Sequence, residues 1–331
     1  MNVRPGDGRV LVAGAGGFIG GHVVRALVDA GRDVRGIDIK PLDGWYQHSD
    51  GVEEVVGDLS LREVGTTAVE GVDVVYNFAA DMGGMGFIAT HKVDCMLSVL
   101  INTHLLLAAA AADVSRYFYA SSACVYAAEH QTSAAAAPLA EADAYPAMPE
   151  DGYGWEKLFS ERMCGHVSGE LGLDTRVARY HNVYGPLGAW TGGREKAPAA
   201  IARKIAVAEL TGDTEIEIWG DGEQTRSFMY IDDCVEGTLR VMEGRWREPV
   251  NVGSSELVTI NQLVDLVAEI AGVRVTRRHD LSKPQGVRGR NSDNTLIRAR
   301  YGWEPSTTLR TGLAQTYAWV REQVVAELAR R

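Results

Sequence analysis

The sequence predicts an α/β fold: a doubly wound parallel sheet followed by a smaller C-terminal α/β lobe. The chain has 331 residues, enough for about two domains, and its 46% hydrophobic and 23% charged residues are typical of a globular protein. Short apolar runs alternate with helical patterns through the first half, as expected for a parallel sheet covered by helices. A glycine-rich segment directly follows the first of these runs.

The predicted elements follow one another in a regular order. Strands are expected at 9–13, 33–39, 53–56, 73–79, 116–120 and 175–179, and helices at 18–30, 92–112, 153–170, 198–210, 259–271 and 309–328. The stretch 127–149, rich in Ala, Glu, Asp and Pro, predicts a surface loop. We place the change from a first domain, 1–180, to a second, 181–331, near residue 180, with about 227–250 returning to the sheet.

The charge balance limits the partners of the chain. The sequence has 33 Lys and Arg against 44 Asp and Glu, a formal charge of −11 at pH 7. An acidic surface argues against general binding to nucleic acid or to an anionic membrane. An anionic substrate would therefore need a local basic pocket.

Cysteine and histidine usage points to a reducing compartment and away from metals. The four cysteines, Cys95, Cys124, Cys164 and Cys234, are widely spaced and predict reduced thiols in a cytoplasmic protein. The eight histidines show no metal-ligand spacing, so no metal is expected. The polar start of the chain carries no signal core, and the apolar stretches elsewhere are interpreted as too short or too interrupted to span a bilayer.

A glycine-rich turn predicts a dinucleotide site. Gly14, Gly17 and Gly20, with Phe18 and Ile19 between the last two, follow the first strand and open the first helix. Glycines let the backbone approach a pyrophosphate, and the helix N-terminus supplies free N–H groups and a positive dipole. The strand–turn–helix context makes this pattern more specific than glycines alone.

Two acidic residues fit the same site. Asp38 ends the second strand, where a carboxylate accepts hydrogen bonds from both ribose hydroxyls and repels a 2′-phosphate, which favours NAD over NADP. Asp58 follows the third strand and is a candidate adenine contact. Its alternative role is to cap the segment that starts at Ser60.

A tyrosine and a lysine four residues apart form the candidate redox pair. Tyr153 and Lys157 lie on one face of a predicted helix. Because a free tyrosine titrates at about pH 10, it needs a nearby cation to act as a base at neutral pH. Lys157, together with a positive nicotinamide, provides one. Ser121 and Ser122, at a strand end, can share the substrate hydroxyl with the tyrosine.

These motifs together resemble the extended short-chain dehydrogenase/reductase family, whose Rossmann-type members include nucleotide-sugar epimerases, dehydratases and reductases. Within that family, longer runs resemble the GDP-mannose 3,5-epimerases over about residues 9–325. The runs start at Asn77, Tyr119, Gly192, Gly220 and Gly286 and read NFAADMGGMGF, YASSACVY, GGREKAPAA, GDGEQTRSF and GVRGRNSDN. Five runs in the same order are far more specific than the glycines alone.

The resemblance implies roles for individual residues. Tyr153 and Lys157 match the redox pair, and Cys124 and Lys196 match an acid–base pair. Substrate contacts are implied at Gly83, Ser122, Cys124, Asn182, Glu195, Lys196, Ala197, Lys204, Gln224, Arg226, Arg288 and Arg290, the last two in a diphosphate-binding motif. The resemblance also implies tightly bound, recycled NAD, a GDP-sugar substrate, and a homodimer in which the helical stripe 93–112 pairs with the Tyr153 helix.

The chemistry of the sugar explains why these types of residue are needed. A sugar C–H is not acidic, so hydride first moves from C4 to NAD⁺ while Tyr153 takes the hydroxyl proton. The resulting ketone acidifies the protons at C3 and C5. Inverting either carbon needs a base on one ring face and an acid on the other, roles that Cys124 and Lys196 can divide in either order. Re-reduction at C4 then gives GDP-L-galactose, GDP-L-gulose or both from GDP-mannose.

Other functions stay open at this point. A 4-epimerase would not require the Cys124 and Lys196 pair, and a 4,6-dehydratase of this family typically presents Thr-Asp-Glu where this chain has Ser122-Ala-Cys124. A heptose can replace mannose, since nothing in the sequence fixes what C5 carries. An NAD-binding regulator on the same fold is the alternative outside enzymes, although such proteins commonly lose the tyrosine or the lysine. Taken alone, Cys124 would be a small core residue, but its place just past a strand end favours the site.

Overall fold

The computed structural model describes residues 8–330, so most of the polar start of the chain lies outside the described residues. The strands are β1 (Val10–Ala13), β2 (Val34–Asp38), β3 (Glu53–Val56), β4 (Val74–Asn77), β5 (Arg116–Ser122), β6 (Asp174–Tyr180), β7 (Val183–Tyr184), β8 (Glu215–Trp219), β9 (Thr225–Ser227), β10 (Met229–Tyr230), β11 (Val250–Val252), β12 (Leu257–Thr259), β13 (Thr276–Asp280) and β14 (Gly289–Arg290). The helices are α1 (Phe18–Asp29), α2 (Arg62–Ala68), α3 (Met85–Thr90), α4 (Lys92–Ala111), α5 (Tyr153–Leu171), α6 (Ala197–Thr211), α7 (Ile231–Glu243), α8 (Ile260–Ala271), α9 (Thr295–Tyr301) and α10 (Leu309–Leu328).

Seven strands form one parallel sheet in the order β11-β6-β5-β4-β1-β2-β3. Val10 of β1 pairs with Val34 of β2 on one side and with Val74 of β4 on the other. The strand order therefore reverses at β1, and ligands of open α/β sheets bind in the crevice outside the carboxyl ends at such a point. The predicted doubly wound parallel sheet is confirmed.

Successive side chains of β1 enter two different cores. Val10 and Val12 belong to the core that includes α1 and α7, whereas Leu11 and Ala13 belong to the core under α2, α4 and α5. Apolar residues on both faces are expected when helices cover a parallel sheet on both sides. Full burial of a side chain such as Leu11 contributes about 1.5–3 kcal/mol.

The segment 127–149 exposes many of its residues, as its composition predicts, but buried residues within it anchor it to the fold. Gln131 and Leu139 are buried, and Leu139 forms a bridge with Ser292 near the end of the chain. Gln131 Nε2 donates to the carbonyl oxygens of Tyr126 and Ala127. Alanine-rich composition does not distinguish buried from exposed backbone, so contacts with distant residues decide the burial here.

A smaller α/β lobe stands beside the sheet, as the sequence predicts. It contains α6, α8 and α10, the pair β8–β13, and the three strands β12-β9-β14. β11 follows β8–β10 in the chain but pairs with β6 of the main sheet. The domain boundary near residue 180 stays a prediction.

Helix α4 departs from one expectation. Its 20 residues contain an 18-residue stretch with a mean hydropathy of 1.7, so by length and composition the helix could cross a membrane. The prediction that every apolar stretch is too short or too interrupted is therefore wrong for this helix. On one face of α4, Leu105 and Leu106 are buried in the core, whereas Val93 and Leu97 on the other face are exposed.

Candidate active site

The turn between β1 and α1 is shaped for a ligand that lies close to the backbone. Gly14 has a φ of +82°, a conformation that side chains avoid. A Cβ on Gly20 would lie 2.1 Å from the carbonyl oxygen of Gly14. Gly17 caps α1 without a side-chain hydrogen bond, so the first N–H groups of the helix stay available to an anion. This geometry fits a pyrophosphate.

The two predicted acidic residues are held differently. Asp38 is buried at the end of β2, and its Oδ1 accepts a hydrogen bond from the Lys40 N–H at 3.0 Å. This contact holds the carboxylate at the strand end where a ribose is expected. Asp58 Oδ1 accepts from the Ser60 N–H at 2.9 Å in the turn before α2, but α2 begins at Arg62 with Leu61 as its N-cap, so Asp58 does not cap the helix. An adenine contact by Asp58 stays a prediction.

Tyr153 begins α5 and is buried. Lys157 Nζ lies 5.4 Å from the centre of its ring. Burial raises the pKa of Tyr153 well above its usual value, and the nearby Cys124 and Glu156 raise it further. A hydrogen bond with Ser122 acts in the opposite direction. In the chain alone, the charge of Lys157 does not outweigh the effect of burial on this pKa, whereas a bound and positively charged nicotinamide would act to lower it.

A buried network that sequence reasoning missed holds Lys157. Its Nζ donates to Tyr119 Oη at 3.1 Å and lies 3.4 Å from Glu156 Oε2. Tyr119 and Ser160 both donate to Glu156 Oε1, at 2.8 and 3.0 Å. The ammonium is thus fixed relative to Tyr153. The local signal was the acid directly before Lys157, but nothing in the helix predicts that Tyr119 on β5 completes the network.

The two serines at the end of β5 point in different directions. Ser122 contacts Tyr153, whereas Ser121 Oγ donates to Glu161 Oε1 at 2.5 Å. Glu161 is also paired with the buried Arg179, whose Nη2 lies 2.7 Å from its Oε2. Because successive side chains of a strand face opposite ways, only Ser122 is directed to the site. The expectation that both serines share the substrate hydroxyl is wrong for Ser121.

Cys124 lies just beyond β5 beside a buried cation. Arg290 Nη1 donates to Cys124 Sγ at 3.6 Å, and Arg290 Nε donates to Gln131 Oε1 at 2.6 Å. The same guanidinium is paired with Glu150. Arg290 is thereby brought to the thiol, and its predicted contact with a diphosphate stays untested. Sequence reasoning did not single out Gln131 or Glu150, because their partner is about 140–160 residues away.

Lys196 stands at the N-terminal end of α6, just before Ala197. Burial lowers the pKa of its ammonium, and the Cys124 sulfur acts in the opposite direction. The two predicted acid–base groups therefore influence one another electrostatically. The neighbouring Glu195 is used within the chain, where its Oε1 accepts from Arg203 at 3.1 Å.

Three predicted substrate residues gather around β8 and β9. Lys204 Nζ donates to the Glu217 carbonyl oxygen at 2.6 Å, and Gln224 Nε2 donates to that of Trp219 at 3.2 Å. Gln224 Oε1 is buried with no hydrogen-bond partner among residues 8–330 and remains an acceptor for a ligand. Burial lowers the pKa of Arg226 to about 10.

Two other predicted contacts are engaged within the chain. Asn182, with a φ of +45°, donates from Nδ2 to the Ser227 carbonyl oxygen at 3.0 Å. Arg288 Nη1 lies 2.8 and 2.9 Å from the two oxygens of Asp221. A phosphate would have to compete with this carboxylate, and the substrate roles of both residues stay predictions.

His181, the neighbour of Asn182 in the sequence, is buried and plays a structural role. His181 Nε2 lies 3.0 Å from Asn251 Oδ1, and burial lowers the pKa of the ring to about 4. A neutral buried ring fits a pocket wall. Within the described part of the chain, no three His, Cys, Asp or Glu side chains are grouped to hold a metal ion.

Residues 10–253 match the model of the NAD dependent epimerase/dehydratase family, and the chain belongs to this family. It is 44% identical to GDP-mannose 3,5-epimerase of Arabidopsis thaliana, over 97% of this chain and 84% of that protein. It is 45% identical to GDP-mannose 3,5-epimerase 1 of Oryza sativa subsp. japonica, over 96% of this chain and 83% of that one. The resemblance drawn from the sequence motifs is confirmed.

A solved structure agrees with the fold. UDP-glucose 4-epimerase from Thermotoga maritima, crystallised with UDP-glucose, matches with a TM-score of 0.86 at 25% identity, over 96% of this chain and 99% of that one. The cofactor prediction is also confirmed, since the family is NAD dependent. The turn at Gly14–Gly20 and the carboxylate of Asp38 would hold the pyrophosphate and a ribose of NAD.

Proposed function

We propose that the chain is a nucleotide-sugar epimerase that converts GDP-mannose, or a close analogue, by inversion at C3, C5 or both. The observation that carries this proposal is that Cys124 packs with Tyr153 in one buried cluster, and the Cys124 sulfur also influences the ammonium of Lys196. The identity of 44% to a GDP-mannose 3,5-epimerase supports the substrate.

Tyr153 is proposed to begin and end the reaction. NAD, when bound, accepts a hydride from C4 of the sugar and later returns it. The Tyr153 oxygen takes the C4 hydroxyl proton during oxidation and gives it back at the end. Ser122 orients that hydroxyl, and Lys157, fixed by Glu156 and Tyr119, supplies positive charge beside the phenol.

Cys124 and Lys196 are proposed to move the protons on carbon. The C4 ketone makes the C3 and C5 protons acidic, and inversion needs removal on one face and return on the other. Burial favours the neutral amine of Lys196, which is the form that accepts a proton. The guanidinium of Arg290 beside the Cys124 sulfur places a positive charge next to the partner group. The two side chains can therefore exchange the roles of acid and base.

A local basic pocket is proposed for the nucleoside diphosphate. The chain has a net charge of −11, so binding of a diphosphate depends on nearby cations. Arg226 is half-buried on β9, where its guanidinium donates to the carbonyl oxygens of Thr225 and Val287. The Arg288 carbonyl oxygen accepts from the Thr225 N–H of the same strand. Guanidinium groups match phosphate geometry bidentately, which supports Arg226 and Arg288 as diphosphate contacts. The free Gln224 Oε1 supports a further polar contact.

Incubation with GDP-mannose in D₂O tests the proposal. We expect GDP-L-galactose, GDP-L-gulose or both, with deuterium at the inverted carbons. Tyr153→Phe should abolish conversion. Cys124→Ala and Lys196→Ala should lower deuterium incorporation by about 10²–10⁴-fold, the usual contribution of a general acid or base, yet still permit oxidation at C4.

Two results would contradict the proposal in different ways. A product inverted only at C4 and free of deuterium would indicate a 4-epimerase. No conversion of any GDP-sugar by protein that still contains NAD would favour a regulator. Full deuterium incorporation by both alanine variants would remove Cys124 and Lys196 from the mechanism.

The chain is further proposed to act as a homodimer. Val93, Leu97 and Leu100 follow one exposed face of α4, and Trp155 and Phe159 follow one exposed face of the adjacent α5. Exposed apolar residues on two packed helices are typical of a protein interface. A second copy applied to this face would form a bundle of four helices, and covering the face in this way accounts for its apolar surface.

We propose a cytoplasmic location because the cysteines are unpaired. Cys95, Cys124, Cys164 and Cys234 are all free and buried. Unpaired thiols persist in reducing compartments, whereas oxidising ones favour disulfides.

A further inference from the structure

The segment that leads into Lys196 is fastened to the loop after β4. Arg194 Nη1 donates to Asp81 Oδ1 at 2.6 Å and to the Met82 carbonyl oxygen at 3.1 Å. Its guanidinium lies 3.9 Å from the centre of the Phe87 ring. The Gly84 N–H donates to the Arg194 carbonyl oxygen at 3.0 Å. Side chain and backbone of one residue therefore tie two distant segments together.

Glycines allow this close approach. A Cβ on Gly84 would lie 2.4 Å from the Glu195 carbonyl oxygen, and a Cβ on Gly83 would lie 3.2 Å from the Arg194 Cα. Any side chain at Gly84 would push the segment away. The two backbones are thus in contact directly beside Lys196.

The contacts of Arg194 add little to overall stability. The Arg194 and Asp81 side chains are 48% and 40% exposed, and ion pairs of this kind contribute about 0–1 kcal/mol. Their value is local, because Lys196 Nζ has no hydrogen-bond or ion-pair partner within residues 8–330. The backbone of the preceding segment therefore determines where this ammonium lies. Cys124, its proposed partner, belongs to the other side of the cleft, after β5.

We propose that Arg194 is a positioning residue that holds Lys196 at working distance from Cys124 by fastening the segment 192–196 to Asp81 and Phe87. Arg194 itself touches no reacting atom. The inference rests on the proposed function, because it concerns the proton transfers at C3 and C5. Oxidation at C4 depends on Tyr153 and Lys157 of α5, which Arg194 does not contact directly and to which it is connected only through the packing of Phe87.

Arg194→Met tests the proposal, since it keeps an apolar chain of similar length and removes the polar contacts. We expect deuterium incorporation at C3 and C5 to fall by about 10-fold or more, because a misplacement of about 1 Å can cost 10²-fold. Reduction of bound NAD by GDP-mannose in a single turnover should change by less than about twofold. Arg194→Lys keeps the charge but not the planar group, so its deuterium incorporation should lie between that of the wild type and that of Arg194→Met.

The matched control is Arg310→Met. Arg310 is exposed and ion-paired with Glu269 on the far helices, and its loss should leave both steps unchanged. Deuterium incorporation equal to that of the wild type would overturn the role of Arg194. So would an equal loss of exchange and of C4 oxidation, because Arg194 would then support the whole site. Absence of exchange in the wild type would overturn the proposed function as well, which separates the two failures.

Discussion

Buried polar side chains define the geometry around the strand ends. Ser121 donates a hydrogen bond to Glu161, which is paired with Arg179, while Ser122 faces the other way toward Tyr153. The hydrogen-bonded network of Glu156 fixes the ammonium of Lys157 in a similar way. Buried charges are found paired because an unpaired one is costly, so each pair fixes the orientation of its neighbours.

His181 offers a test of this buried polar layer. Burial holds its pKa at about 4, whereas the unfolded chain protonates it near its ordinary value of 6.5. Between these values the unfolded state binds more protons, so the free energy of unfolding decreases as the pH is lowered. The contribution of His181 to the loss from pH 8 to pH 5 is about 2 kcal/mol, and His22, whose pKa burial also lowers, adds to the loss. Urea unfolding at the two pH values measures it.

His181→Gln should reduce the loss by about 2 kcal/mol, since the amide does not titrate in this range, and the part due to His22 should remain. His166→Gln, at an exposed position on α5, is the control and should keep the wild-type dependence. If His181→Gln unfolds with the wild-type difference between pH 8 and pH 5, another group is responsible.

The individual residues of the site also show which contacts can be predicted from the sequence. Tyr153 and Lys157 are found from their spacing, because helical geometry is local. The approach of Arg290 to Cys124 depends on β14 pairing with β9 and on the segment 127–149. No local pattern contains that pairing. Ser121 and Ser122 are neighbours in the sequence, and only the alternation of side chains along β5 separates their roles.

At the scale of elements, β1, its turn and α1 were predictable almost entirely. A continuous apolar run, the glycines and helical spacing agree with one another there, so local preference and tertiary structure select the same conformation. Segment 127–149 lacks such agreement, and its buried Gln131 is satisfied by carbonyl groups instead. The strands of the smaller lobe are two to five residues long, too short for a clear period.

Gly20→Ala tests the cofactor turn. The added Cβ would lie 2.1 Å from the Gly14 carbonyl oxygen, so the turn has to open and the first N–H groups of α1 move away from the pyrophosphate. We expect the NAD released per chain on denaturation to fall by about 10-fold or more. Gly165→Ala, on α5 with nothing within 4 Å of its added Cβ, should keep full NAD and gain about 0.5–1 kcal/mol in stability. Full NAD content in Gly20→Ala would show that the turn tolerates a side chain.

At the scale of the whole molecule, the exposed apolar face on α4 and α5 connects the proposed dimer with the active site. Tyr153 and Lys157 begin the same helix that carries Trp155 and Phe159, so residues two apart serve opposite surfaces. The sheet and the Glu156 network fix one side of α5. A partner subunit would fix the other side, which favours a rigid placement of the redox pair.

Leu97→Asp tests this arrangement. Wild-type protein should sediment at twice the 35.8 kDa mass of the chain, because burial of the apolar face contributes about 25 cal/mol per Å². A carboxylate in the centre of that face would be buried without a partner in a dimer, so Leu97→Asp should sediment as a monomer. Leu281→Asp, at a 69% exposed position on the smaller lobe, is the control and should remain dimeric. A monomeric wild type, or a Leu97→Asp protein that keeps the wild-type mass, would contradict pairing through α4 and α5.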